Sequence, residues 1–276
     1  MTELCLSIDV EEDLPGVLPP GEVGITEGFP RLLRFLDEEQ IKADFFFLSS
    51  VARRYPKLVI DCENAGHLIG NHGWDHEFLS TKPPKRQREE IERSTNLLSS
   101  LSSSPVTMFR APNFSVDHGT LVLLQAAGYN LDSSVLPGRY IRQGLSKAYD
   151  HRGARREPHY PIQGAGGTRM LEIPVTENPL QPGTPLGQGA LNSFGGKRIL
   201  DLLLQSTPSV AVFLIHPWEL IDLKTRYPQL SDGYARVCSS DLGPLRAFIR
   251  EAARHFRFTT LSEVTARVRR SEGSCR

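Results

Sequence analysis

The sequence predicts an α/β protein whose parallel strands curl into a distorted (β/α) barrel with seven or eight strands. Short apolar runs alternate with amphipathic helical patterns along most of the 276 residues, as in βα units that build a parallel sheet. The number of these units favours a closed or nearly closed barrel, and a doubly wound sheet is the alternative. We expect one catalytic domain to cover residues 1–276.

Eight runs predict strands because they are short, apolar and bounded by turn-forming residues. They cover residues 4–9, 43–48, 67–71, 107–110, 129–132, 170–175, 210–216 and 256–260. Helical spacing of apolar residues predicts the elements between them, beginning with Phe29, Leu32, Leu33 and Leu36. The further predicted helices cover residues 55–65, 83–101, 117–127, 197–205, 244–254 and 262–269. Asp117 and Ser262 are placed to cap two of them.

The pattern breaks down between Pro137 and Thr168, where glycine, proline and arginine dominate. A loop this long inside a compact domain is usually functional or mobile. The GAGG run at residues 164–167 follows no predicted strand, so it indicates a flexible loop and not a phosphate cradle.

The composition excludes several classes of protein. Thirty-two basic and 32 acidic residues give a formal net charge of +0, and no basic stripe or tail indicates nucleic-acid binding. Cys5, Cys62, Cys238 and Cys275 lie far apart and form no CxxC pair, so reduced thiols are expected. There is no signal-peptide pattern and no apolar stretch approaching about 18 residues. We expect a cytoplasmic protein with no transmembrane segment.

Polar residues recur where predicted strands end. Asp9 ends the first strand, His72 follows the third, and Arg110, Asp132 and His216 end later strands. In barrel enzymes the active site gathers at these carboxyl ends. This concentration of titratable and cationic groups is hard to explain by core packing and indicates a catalytic site.

The segment HGWDH, from His72 to His76, predicts a metal site. Two histidines four residues apart lie on one face of a helical turn, a workable geometry for two ligands of one zinc-like ion. A third ligand should be a carboxylate, and the acidic run Glu11, Glu12 and Asp13 follows the first strand. Local hydrogen bonding of two loop histidines is the alternative interpretation.

Three residues have the chemistry of a hydrolytic site. Asp9 is placed to act as a base toward a water activated by the metal. Arg110 could hold Asp9 through a forked hydrogen bond and keep it ionised, although an ordinary surface ion pair is the alternative. His216 emerges from a buried strand onto a Pro-Trp turn and could protonate a leaving amine.

Five motifs in order resemble the polysaccharide deacetylase family, the NodB-homology group or carbohydrate esterase family 4. They are Asp9 with its acidic run, HGWDH, FRAP at residues 109–112, LDSS at residues 131–134 and LIHPWE at residues 214–219. The resemblance implies a distorted (β/α) barrel, a divalent metal, usually zinc, and hydrolysis of N-acetyl groups on amino sugars. The HPWE ending is most similar to deacetylases of bacterial exopolysaccharide biosynthesis.

The resemblance also implies roles for residues of this sequence. His72 and His76 resemble metal ligands, Asp9 the base, and Arg110 the residue that orients it. Further implied roles are Asp132 in the motif that supports the acid, His216 as the acid, Leu214 in the acyl pocket, and Pro112 and Asn113 in substrate binding. Many family members carry a second aspartate where this chain has Val10, whereas the Asp-x-Asp branches align on Glu11. Glu11 is therefore the preferred third ligand, with Glu12 and Asp13 left open.

The substrate is predicted only by class. Trp74, Trp218 and Tyr140 could stack on sugar rings. An amino sugar or glycan is expected, free, nucleotide-linked or lipid-linked, with peripheral membrane contact left open and no indication of oligomeric state. Six basic residues of the 137–168 segment could meet a phosphate, or could form a solvated loop: Arg139, Arg142, Lys147, Arg152, Arg155 and Arg156. Deformylation, cyclic-amide hydrolysis and sugar binding without catalysis are the alternatives to deacetylation.

Overall fold

All eight predicted strands are present in the computed structural model, which describes residues 2–143, 146–162 and 169–273. The strands are β1 (Glu3–Val10), β2 (Asp44–Phe47), β3 (Leu68–Asn71), β4 (Met108–Phe109), β5 (Leu131–Asp132), β6 (Tyr140–Gln143), β7 (Ser146–Asp150), β8 (Leu171–Glu172), β9 (Val210–Ile215) and β10 (Arg257–Thr259). The helices are α1 (Phe29–Glu38), α2 (Ser49–Arg54), α3 (Pro56–Asn64), α4 (Pro84–Leu101), α5 (His118–Ala126), α6 (Gln188–Phe194), α7 (Gly196–Ser206), α8 (Leu223–Arg226), α9 (Asp232–Ala235), α10 (Gly243–Ala252) and α11 (Leu261–Gly273).

Strand β1 is the centre of a curled parallel sheet. It pairs with β9 along one edge and with β10 and then β2 along the other, and the sheet continues through β3, β4, β5 and β8. Within the described ranges β8 and β9 do not pair directly. The chain between them closes the gap, since Leu186 donates to the carbonyl of Thr176 and Leu214 donates to the carbonyl of Leu186. The distorted barrel is confirmed, and the doubly wound alternative is not.

Alternation along the strands separates the barrel interior from the helical layer. On β1, Leu6 packs with the helices while its neighbour Cys5 joins an interior apolar cluster with Phe46. Asp9, four residues after Cys5, therefore also points inward. Gly70 leaves room for the Phe46 ring, because a Cβ there would lie 2.5 Å from a ring carbon. Apolar side chains such as Cys5 and Phe46 thus fill the barrel interior, and polar side chains occupy the end where the strands have their carboxyl termini.

Two local predictions need correction. The segment predicted as an irregular loop contains an antiparallel hairpin formed by β6 and β7. Ser262 is not the cap of the last helix; Thr260 and Glu263 exchange bonds there, with Glu263 Oε2 accepting from the Thr260 amide at 3.2 Å. By contrast, Asp117 caps α5 as predicted, accepting from Thr120 N at 2.8 Å.

Some sequence features lie beyond what the structure describes. The GAGG run falls outside the described residues, as does Cys275, while Cys5, Cys62 and Cys238 are free thiols. Over the described ranges no helix has the length and hydropathy needed to cross a membrane.

A buried carboxyl at the base of the sheet predicts a measurable pH dependence of stability. Asp44 is fully buried, and its Oδ2 accepts from Leu261 N at 2.9 Å where α11 begins. Its Oδ1 has no hydrogen-bond partner within the described part of the chain. Burial raises the pKa of Asp44 to about 7. Because the folded protein then holds a proton that the unfolded chain releases near pH 4, the free energy of unfolding should fall between about pH 4 and pH 7 and then level off.

Asp44→Asn should remove this component, since the amide oxygen can still accept from Leu261. We expect the variant to gain about 2–4 kcal/mol over wild type when pH rises from 4 to 8. Urea unfolding of both proteins at several pH values measures the difference. Parallel stability profiles would show that Asp44 does not titrate in this window.

Candidate metal and catalytic site

Three predicted ligands meet at the carboxyl-terminal end of the barrel. The Oε2 atom of Glu11 lies 3.5 Å from His72 Nε2 and 2.8 Å from His76 Nε2. The three donor atoms all lie within 4.8 Å of one another, and Glu11 and His72 are buried. Two imidazoles and one carboxylate are a common ligand set for a catalytic divalent ion.

The donor atoms lack the hydrogen bonds that buried polar atoms usually make. Among the residues that the structure describes, neither Glu11 Oε2 nor His72 Nε2 has a partner in hydrogen-bond geometry, even though His76 Nε2 is close. His72 Nδ1 lies 2.7 Å from the carbonyl oxygen of Arg110. That contact places the proton on Nδ1 and leaves the Nε2 lone pair facing Glu11. The residues therefore fit a divalent cation such as zinc.

The two histidines converge through a loop, not through the helical turn that their spacing indicated. After β3 the chain turns at Gly73, which has a φ of +80°, and residues 72–78 form no helix. The amide of Gly73 donates to Asn71 Oδ1 at 2.7 Å. The ring of His76 is placed by Asn113, whose Nδ2 lies 3.3 Å from His76 Nδ1. The two histidines meet as their spacing indicated, but a loop and not a helical turn brings them together.

The geometry distinguishes among the three acidic residues after β1. Asp13 is occupied elsewhere, since its carboxylate accepts from the amides of Val23 and Gly24 at 2.8 and 2.7 Å. Glu12 pairs with Arg54 at 2.5 Å on the outside of the site. Glu11 alone of these three faces the histidines.

Charge interactions at the cluster outweigh the cost of burial. Burial by itself would raise the pKa of Glu11, but the imidazoles of His76 and His216 hold it well below its usual range. Burial would lower the pKa of His216, yet Glu11 and Glu219 raise it to about 9. Without a metal, protonated imidazoles therefore compensate the buried carboxylate. Metal binding would displace such protons, so metal affinity should depend on pH.

Asp9 and Arg110 form a buried ion pair beside the cluster. Arg110 Nη1 donates to Asp9 Oδ1 at 2.9 Å, and Asp9 Oδ2 lies 3.8 Å from His72 Nε2. The contact uses one guanidinium nitrogen, which corrects the predicted fork. Arg110 Nε donates to the Ser133 carbonyl and Nη2 donates to Ser133 Oγ, both at 2.8 Å. Nη1 also donates to Ser7 Oγ at 2.9 Å. Arg110 is fully buried, so the surface-pair alternative is wrong.

His216 lies on another side of Glu11 and is held by its own turn. Its Nε2 is 3.6 Å from Glu11 Oε1, and its Nδ1 is 3.3 Å from Glu219 Oε2. Glu219 also accepts from the backbone amide of His216 at 2.8 Å. The predictions missed Glu219, although an acidic residue three positions after His216 is the spacing of a capping interaction.

Asp132 does not support His216 in this structure. In β5, Leu131 belongs to the interior apolar cluster. Because successive side chains of a strand point to opposite faces, Asp132 points outward. Its carboxylate accepts from Ser134 Oγ at 2.7 Å and interacts with Glu172 on the neighbouring strand. Burial raises the pKa of both Asp132 and Glu172. The inward position belongs to Ser133, which binds Arg110, and the predicted catalytic role of Asp132 has no geometric support.

Part of the chain matches the model of a known protein family. The family model described as "Polysaccharide deacetylase" matches residues 18–131. Over those residues the chain is similar to the polysaccharide deacetylase family. A peptidoglycan deacetylase of Helicobacter pylori is 26% identical over 172 residues, covering 60% of this chain and 57% of that protein. A peptidoglycan-N-acetylglucosamine deacetylase of Bacillus cereus is 31% identical over 83 residues, covering 30% of each. The chain thus spans less than two thirds of these curated relatives.

Solved structures show the same fold. A Mycobacterium smegmatis protein crystallised as a candidate polysaccharide deacetylase is 20% identical, with a TM-score of 0.68 over 98% of this chain and 91% of that one. A PuuE allantoinase is 16% identical, with a TM-score of 0.66 over 96% and 89%. At these identities the likeness extends to the barrel and not to the substrate.

The predicted sugar-stacking tryptophans are not open platforms. Trp74 is 9% exposed, and the guanidinium of Arg93 lies 3.4 Å from its ring centroid. Trp218 is 6% exposed and stacks on His216 with centroids 4.7 Å apart. Tyr140 is 36% exposed, with Arg152 over its ring. Other side chains of the protein therefore cover both indole rings.

Other predicted substrate residues lie near the site without a demonstrated ligand contact. Leu214 is buried in an apolar cluster with Phe114 and Tyr149, a setting compatible with an acyl pocket. Pro112 is buried against Gly73. Asn113 has a φ of +56° and contacts His76, so it positions a candidate ligand. Its unfavourable backbone conformation is stabilised by Tyr149, whose hydroxyl donates to the Asn113 carbonyl.

At least three of the six basic residues of the 137–168 segment make contacts within the protein, and two of those contacts are ion pairs. Arg139 donates to Tyr149 and to the Gly183 carbonyl, Arg152 pairs with Asp150, and Arg156 pairs with Glu177. The side chain of Lys147 lies outside the described residues. These contacts weaken the phosphate hypothesis but do not test it.

Proposed function

We propose that this chain is a metal-dependent hydrolase that removes the N-acetyl group from an amino sugar within a glycan. The observation that carries the proposal is the cluster of Glu11, His72 and His76, with Asp9 and His216 beside it. A ligand set, a base candidate and an acid candidate within one buried site are the parts that amide hydrolysis requires.

The position of each residue in the site suggests its role in the proposed hydrolysis. A divalent ion held by Glu11, His72 and His76, for which zinc is our candidate, would supply Lewis acidity and lower the pKa of a water toward about 7. Asp9, held by Arg110, is placed to accept a proton from the attacking water. His216, whose Nδ1 faces Glu219 Oε2 at 3.3 Å, is placed to give a proton to a departing amine nitrogen.

The substrate class comes from the relatives. Those named above act on peptidoglycan according to their names, and an Azorhizobium caulinodans relative is a chitooligosaccharide deacetylase. A Shewanella sediminis relative, 26% identical over 87 residues, is named a probable deformylase of a lipid-linked formamido sugar. We favour N-acetylglucosamine-containing glycans. The resemblance to exopolysaccharide enzymes and the cytoplasmic location stay predictions.

The proposal is tested with acetylated, formylated and cyclic-amide substrates. We expect acetate release from N-acetylglucosamine oligomers that a chelator abolishes and added zinc restores. Formate release or ring opening instead would reassign the substrate. If the protein binds sugar saturably with or without chelator and does not hydrolyse it, the chain is a sugar-binding module and not an enzyme.

Phosphate-linked substrates in the same panel test the basic segment. If that segment binds an anion, phosphorylated forms should be turned over faster, and their advantage should shrink as salt rises. Equal turnover of neutral and phosphorylated forms at all salt concentrations would remove the phosphate hypothesis without affecting the deacetylase proposal.

A further inference from the structure

The two oxygens of Glu11 have different environments. Oε2 faces His72 and His76, as described above, whereas Oε1 accepts a hydrogen bond from the indole N–H of Trp218 at 3.2 Å. The bond is buried and joins residues 207 positions apart in the sequence. One oxygen is therefore anchored by a neutral donor, and the other is left for the cluster.

The turn that carries Trp218 has little freedom to move. It forms a short 3-10 helix, Pro217–Leu220, packed against the segment Gly24–Gly28. A Cβ on Gly24 would lie 2.7 Å from the backbone nitrogen of Trp218, and a Cβ on Gly28 would lie 2.1 Å from the Pro217 carbonyl oxygen. The backbone of this turn thus fixes the indole by close contact, in addition to its stacking on His216.

Anchoring matters because position 11 carries glutamate and not aspartate. The additional methylene adds one rotatable bond and moves the carboxylate about 1.5 Å further from the backbone. A free glutamate must lose that rotamer freedom when it binds a metal. A fixed donor on Oε1 removes part of this cost before the metal arrives, as hydrogen bonds to metal ligands generally do.

We propose that Trp218 is a positioning residue for Glu11: its indole N–H holds Oε1, so that Glu11 presents Oε2 as a single-oxygen ligand. This assignment rests on the proposed metal site. It gives the HPWE motif a function beyond the candidate acid His216 and replaces the predicted role of Trp218 in stacking on sugar.

Trp218→Phe tests the proposal because it keeps an aromatic ring against His216 and removes the N–H donor. The matched control is Tyr227→Phe, which removes a donor 3.1 Å from Asp13, a carboxylate of the same acidic run that faces away from the histidines. Zinc affinity of the metal-free proteins is measured by competition with a chromophoric chelator. We expect Trp218→Phe to weaken binding about 10–100-fold and Tyr227→Phe to leave it within about twofold.

A double-mutant cycle separates anchoring from general damage. In a Glu11→Asp background, which keeps a carboxylate ligand but draws it back from the indole by one methylene, Trp218→Phe should have a much smaller effect on zinc affinity than in the wild type. Equal effects in both backgrounds, or wild-type affinity in Trp218→Phe, would overturn the positioning role. Absence of zinc binding by the wild-type protein would instead refute the proposed metal site, so the two failures are distinguishable. Thermal melts of the metal-free variants establish that each remains folded.

Discussion

His72→Ala should yield a folded protein that has lost both its metal and its hydrolytic activity. The substitution removes a nitrogen donor from a three-residue ligand set, and Glu11 and His76 cannot complete that set alone. A metal supplies several kcal/mol of stabilisation in amide hydrolysis, so we expect activity to fall about 10³-fold or more. Elemental analysis of the purified protein and acetate release measure the two losses.

His118→Ala is the matched control, since His118 is exposed at the start of α5. It should keep the metal content and turnover of the wild type. Normal metal content in His72→Ala and in His76→Ala would remove Glu11, His72 and His76 as the metal site, whatever the activity of either variant.

The sequence was sufficient to predict the barrel and the set of residues at its active end. Each predicted strand is an apolar run with a polar residue at or just after its end. Parallel pairing brings the carboxyl ends of all these strands to the same edge of the sheet. Asp9, His72 and His216 were therefore predicted to be neighbours without knowledge of any contact, and the structure places each beside Glu11 or its ligand partners.

The direction of the Asp132 side chain was not predicted, because a shift of one residue along a strand moves a side chain to the opposite face of the sheet. Asp132 ends its strand as expected, but strand alternation directs it outward and gives the inward position to Ser133. Motif position alone cannot resolve such a shift in a two-residue strand.

The surroundings of the two tryptophans could not be predicted for a different reason. Trp74 and Trp218 were predicted to bind sugar because their motifs adjoin the site. In the structure Arg93 covers the ring of Trp74, and Trp218 stacks on His216 of its own turn. Arg93, which covers Trp74, comes from α4. Pairings between distant helices and loops depend on tertiary packing, which periodicity does not encode.

Asp9→Asn should keep the metal and lose catalysis. Asparagine has nearly the same shape and can still accept from Arg110 through its oxygen, but it cannot take a proton from water. Loss of a general base lowers kcat by about 10²–10⁴-fold, and KM should change little because no substrate contact is removed. Zinc affinity should be maintained, since Glu11, His72 and His76 remain in place.

Stability must be measured alongside, because Asp9 is the carboxylate that pairs with the buried guanidinium of Arg110. Removing one partner of a buried ion pair costs about 3–5 kcal/mol, so assays belong below the melting temperature of the variant. Ser7→Ala is the control: it removes another bond to the same Arg110 nitrogen, 2.9 Å long, and leaves the base intact. We expect kcat of Ser7→Ala to fall by less than about tenfold. If Asp9→Asn lost zinc while Ser7→Ala kept it, Asp9 would be a ligand, and the base would have to be sought elsewhere.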